Sequence, residues 1–120
     1  MDDYGSRAQI IVSIDGCHIG PRFRHKSPVT PEHLRSTSTW ENTLWETVEK
    51  SSLQEFYSHL GQDENARYFD GVGVLSLFMA MYGKEYQLTR TYYEQWFEPR
   101  DTSAVTFTSG FFNRVSRRGT

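Results

Sequence analysis

Cys17 and His18 are adjacent, and a thiol beside an imidazole is the pairing that nucleophilic catalysis uses, the base removing the proton that leaves a thiolate. Cys17 is also the chain's single cysteine. In an extended segment, however, neighbouring side chains face opposite ways, so Cys17, Ile19 and Pro21 share one side and His18, Gly20 and Arg22 the other. A base would have to arrive from His25, His33 or His59 through folding, and no thiol-enzyme signature surrounds the cysteine. Cys17, His25 and His33 bring two metal-binding residue types together without the tight spacings that pre-assemble a zinc site. Asp2-Asp3 and Asp63-Glu64 lie in polar stretches where solvated charge is the default, and "DGVGVL" lacks the glycine spacing of a phosphate loop. The expectation is a protein with no catalytic residue, metal ligand or cofactor. A thiol enzyme built on Cys17 is the remaining catalytic alternative.

Two residue groups suggest binding instead. Tyr92, Tyr93, Trp96 and Phe97 place four large aromatics within six residues, more than a short helix can bury on one face, with the acidic Glu94 and Glu98 among and beside them. Aromatics of this kind anchor protein interfaces, so the first reading is a non-catalytic module that occludes a protein target, as an inhibitor, adaptor, immunity or accessory protein does. The second group is basic. Arg22, Arg24 and Lys26 alternate with Phe23 and His25, and Arg114, Arg117 and Arg118 lie near the other end of the chain. Were the first and last strands to pair, the two sets would meet and could grip a phosphate backbone, which makes nucleic acid the alternative partner.

These residues must be positioned by a small number of elements. Gln9–Ile14, "QIIVSI", reads as a strand running into Asp15-Gly16, a type I′ turn signal, with Cys17–Phe23 returning beside it as an N-terminal hairpin. Thr30 and Pro31 open a helix as N-cap and first residue. The run Ser36–Thr39 is expected to interrupt it, and Ser38 with Glu41 and Ser52 with Glu55 have capping-box spacing. Whether Trp40–Leu60 forms one helix or two stays open. Val72–Tyr82 is apolar on every side and reads as the central buried helix, so Leu77→Ala is expected to cost about 2–5 kcal/mol. Thr91 and Glu94 again have box spacing, which predicts a helix over "YYEQWF" ended by Pro99. With Leu75–Tyr82 and a wing at Ala104–Thr108 it could form a helix-turn-helix, although it lacks the polar residues of a recognition helix. In "SAVTFTSGFF", Val105 and Phe107 alternate with Thr106 and Thr108 as in a half-buried strand, and residues 113–120 read as a basic tail.

The resulting expectation is α+β: the N-terminal hairpin and a C-terminal strand make a small antiparallel sheet packed against three to five helices. A length of 120 residues suits one domain, with a short polar stretch at 1–8. Charge is uneven: residues 41–100 carry −5, while residues 1–40 and 101–120 carry +1 and +2. No apolar window approaches membrane-spanning length, and the first residues lack the pattern of a signal peptide. With one cysteine and no bridge to form, the location expected is intracellular, away from membranes. A homo-oligomer is left open.

Overall fold

The computed structural model describes residues 11–115. In chain order the elements are β1 (His18–Ile19), a 3-10 turn (Pro21–Phe23), α1 (Pro31–Glu49), α2 (Leu53–Gly61), α3 (Val72–Tyr82), β2 (Tyr86–Glu98) and β3 (Ser103–Arg114). The strands form one antiparallel sheet in the order β1-β3-β2, so the architecture is α+β with three helices among the described residues.

The N-terminal hairpin does not form among these residues. Residues 11–17 hold no strand, and β1 pairs with β3, His18 opposite Val105 and Ile19 opposite Ala104. Gln9 and Ile10 lie outside the described residues. The Asp15-Gly16 signal has another origin: a Cβ on Gly16 would stand 2.6 Å from the Thr106 carbonyl oxygen, so glycine is needed for close approach to β3 rather than for a turn. Thr106 N–H donates to the Cys17 carbonyl and Cys17 N–H to Thr106 Oγ1, which fastens this segment to the sheet. Gly20, at φ 108°, then turns the chain away after only two paired residues.

Thr30 caps α1 as expected, its hydroxyl accepting from His33 N–H while His33 Nδ1 accepts from Thr30 N–H. The helix continues through the Ser/Thr run instead of breaking there. Thr37, Trp40, Glu41, Leu44 and Val48 form one buried stripe, and Ser36 and Thr37 spend their hydroxyls on the Arg67 guanidinium rather than on capping. Trp40–Leu60 proves to be two helices. Ser51 enters the left-handed region at φ 55°, and Ser52 starts α2 by accepting from Glu55 N–H. Trp40, Leu44, Trp45, Val48, Phe56, Leu60, Phe69, Leu75, Met79 and Leu88 make up most of the main core, so both α1 and α2 are held by it.

α3 has the expected bounds but not the expected place. Leu75, Phe78 and Met79 are buried, whereas Val74, Leu77 and Met81 form an exposed stripe, Leu77 being 61% exposed. An apolar composition on all sides does not select which side is covered, and here α2 and the sheet cover only one. Leu77→Ala is therefore expected to change stability by about 0.5 kcal/mol or less, checked by urea unfolding.

The segment expected as an aromatic helix is instead the centre of β2. Its 13 residues pair with β3 from Tyr86 opposite Arg114 to Glu98 opposite Ser103. The helix-turn-helix falls with it. β3 runs to Arg114, so the described part of the supposed basic tail begins inside a strand.

Candidate binding face

The pairing of β2 with β3 shifts by one residue between Arg90 and Tyr92, which makes Thr91 a bulge. Before it, Leu88 and Arg90 point to the helices. Leu88 enters the core, and Arg90 makes a two-pronged contact with Glu49 on α1 at 2.8 and 3.0 Å. After it the phase reverses: Tyr93 and Gln95 reach the helices, Tyr93 Oη donating to Glu41 Oε1 and Gln95 Nε2 to the Leu34 carbonyl. Tyr92, Glu94 and Trp96 consequently face the opposite side of the sheet, where no helix lies among the described residues.

Cross-strand register adds residues of β3 to this outer side. Glu94 stands opposite Phe107, Trp96 opposite Val105 and Thr89 opposite Phe111. Phe107 thus sits diagonally between Tyr92 and Trp96. Trp96 is 61% exposed, Tyr92 56%, Phe111 51% and Phe107 47%. These four aromatics form a stripe along the hairpin, with Glu94 between Tyr92 and Trp96. A hydrogen bond with Glu94 raises the Tyr92 phenol above its ordinary pKa, and Glu94 has no ion pair among the described residues.

The six residues expected to share one surface therefore divide. Tyr92, Glu94 and Trp96 remain together outside, Tyr93 and Phe97 turn toward the helix side, and Glu98 at the strand end binds Arg100 at 2.6 Å, which holds its carboxyl below the usual range. The sequence reading did not place Phe107 and Phe111 on this face. The alternation in "TFTSGFF" marks a strand but not which phase is covered, and it is Ala104 and Thr106, not Phe107, that are buried.

The basic residues also separate. Arg22 is paired with Asp101 at 2.6 Å, and Arg114 lies over Tyr86 at the far end of β3. Since Arg22 N–H donates to Ser103 Oγ at the start of β3, eleven residues of strand, roughly 35 Å, divide it from Arg114. Arg24 and Lys26 line a cleft of their own. Arg117 and Arg118 lie outside the described residues.

Behind the sheet is a buried polar group that sequence reasoning did not assign. Glu41 on α1 is fully buried, with Cys17, Thr106, Tyr93 and Trp45 around its carboxyl. Its Oε2 and the Trp45 indole Nε1 have no well-aligned hydrogen-bond partner. Burial raises the Glu41 pKa, and burial followed by the neighbouring Glu41 charge raises both the Cys17 thiol and the Tyr93 phenol. Such surroundings oppose thiolate formation at Cys17. The His18 ring, on the other face of β1, contacts the Tyr68 carbonyl at 2.9 Å and offers the thiol no base. Among the described residues no three His, Cys, Asp or Glu side chains gather as a metal site, and no helix is long and apolar enough to cross a membrane. No protein-family model matches the chain, and no curated protein matches it significantly.

Proposed function

We propose that the protein is a non-catalytic module that binds and covers the surface of another protein through the outer face of its β2-β3 hairpin. The observation that carries this reading is the exposed stripe Trp96, Tyr92, Phe107 and Phe111 on a sheet face with no covering layer among the described residues. Large amphipathic aromatics give contact area at small conformational cost, and Trp and Tyr are frequent interface anchors. Glu94 within the stripe, hydrogen-bonded to Tyr92 but without an ion pair among the described residues, sets the partner's chemistry: an apolar strip carrying a Lys or Arg to meet that carboxylate. An acidic group at this place also disfavours a phosphate backbone there. The exposed side of α3 is apolar too, but Val74, Leu77 and Met81 offer no charge to select a partner.

The test is a random-peptide display library panned against the protein, with the Trp96→Ala variant used to remove peptides that bind elsewhere. Enriched peptides should combine aromatic or aliphatic residues with a Lys or Arg. Trp96→Ala should weaken their binding by about 30-fold or more, and Glu94→Gln should weaken the basic ones selectively. The melting curve of Trp96→Ala should match that of the parent, since the indole is exposed. Peptides that ignore Trp96 would overturn the proposal. So would a concentration-dependent dimer lost on Trp96→Ala, because the stripe would then belong to a second copy.

A further inference from the structure

On another part of the molecule, an open cleft of about 460 Å³ lies between the loop that follows β1, the first turns of α1 and the segment joining α2 to α3. The loop contributes Arg24, His25 and Lys26, α1 contributes His33, and the joining segment contributes Arg67. Among the described residues, no carboxylate lines it.

The charges are not equivalent. Arg67 is balanced by Asp63 at 2.8 Å and further held by Ser36 and Thr37. Arg24 and Lys26 have no ion pair or side-chain hydrogen bond among the described residues. The cleft therefore carries two uncompensated positive charges on a concave surface, an arrangement that concentrates anions.

Its walls are also fixed. Gly20 N–H donates to His25 Nδ1 at 2.9 Å, so the ring's proton sits on Nε2 and is donated to the Ala66 carbonyl at 2.8 Å; the ring stacks on Tyr68. One neutral imidazole thus ties two walls of the cleft together. His33 Nδ1 accepts from Thr30 N–H, which leaves the His33 proton on Nε2 as a neutral donor. Arg24 itself takes a left-handed backbone conformation at φ 72°, uncommon for a residue with a side chain, and its own N–H donates to the Pro21 carbonyl.

From this arrangement we propose that the cleft binds a phosphate monoester, its oxygens taken by Arg24 and Lys26 and its organic part lying against Ile19 and Val29. A guanidinium fork and an ammonium point charge together suit a dianionic phosphate, and the volume is that of sites for small ligands. The ester can be a small molecule or the phosphorylated end of a nucleic acid. This site is independent of the aromatic hairpin face.

Calorimetric titrations with inorganic phosphate, adenosine monophosphate and adenosine, and with a short oligonucleotide carrying or lacking a 5′-phosphate, test it. Adenosine monophosphate should bind and adenosine should not, with affinity falling as salt is added. Lys26→Gln and Arg24→Gln should each weaken binding about tenfold or more. Lys50→Gln, at a lysine paired with Glu55 and outside the cleft, should leave it unchanged. Binding by the 5′-phosphorylated oligonucleotide alone would also support the site and assign the ester to a nucleic-acid end. Equal binding of the two oligonucleotides, no binding by any phosphorylated probe, or full binding by both cleft variants would overturn the proposal. Lys26 is exposed and unpaired, so its variant remains informative even if Arg24→Gln folds poorly.

Discussion

Replacing Phe56 with alanine is expected to lower stability by about 3–5 kcal/mol, a large share of the 5–15 kcal/mol typical of a whole domain. Phe56 has no exposed surface and belongs to the main core. α2, only nine residues long, is too short to persist alone and depends on packing against α1 and α3. Only Phe56 and Leu60 of α2 are buried, so the variant loses the transfer energy of a phenyl ring and also leaves a cavity where α2 is anchored. Urea unfolding should show a lower midpoint with an unchanged slope. A change as small as that expected for Leu77→Ala would mean that α2 does not rest on the core.

Replacing Glu41 with glutamine is expected to remove a loss of stability that the parent suffers as pH rises. Because burial raises the Glu41 pKa, the folded protein keeps this carboxyl protonated over a range where the unfolded chain, titrating near the ordinary 4.5, has released the proton. The unfolded state therefore binds fewer protons in that window. Stability is fullest below the unfolded pKa and declines as pH rises toward the folded one, by up to about 1.4 kcal/mol per pH unit. Cys17 and Tyr93, the other titratable groups around this carboxyl, are shifted upward as well and stay neutral through the window. Glutamine is neutral throughout and keeps an oxygen to accept from Tyr93. Thermal melts across the acidic to neutral range should slope downward for the parent and be flatter for Glu41→Gln. Parallel curves would show that Glu41 is ionised in the folded protein.

What could be read from the sequence divides by the range of the interactions involved. The start of α1, the Ser52 cap and the bounds of α3 rest on contacts within a few residues, and all three appear where those residues place them. The hairpin at Asp15-Gly16 and the helix at Tyr92–Phe97 were misread because both local signals were sound but outweighed by distant partners. Gly16 answers to Thr106, ninety positions along the chain, and Tyr86–Glu98 answers to β3. A bulge hid the strand as well, since Leu88 and Arg90 face inward in one phase and Tyr93 and Gln95 in the other, and no simple alternation survives in the sequence. Of the proposed binding face, Tyr92, Glu94 and Trp96 are legible as a group. Phe107 and Phe111 are not, because nothing local states which side of a two-faced strand the helices will cover.

Thr91 gives the hairpin a sensitivity of an unusual kind. Its exposed side chain shares a hydrogen bond with the Ser109 hydroxyl at 3.0 Å, so many residue types could stand there. Its place outside the ladder, by contrast, is not free. Were Thr91 drawn into regular pairing, a continuous two-residue alternation would run from Leu88 onward, turning Tyr92, Glu94 and Trp96 toward α1 and sending Tyr93 and Gln95 outward. A carboxylate would then be driven toward the helices while the inner polar contacts opened to water. The identity of the outer surface is thus encoded as a reading frame in the strand, and the extra residue at Thr91 is where that frame is reset.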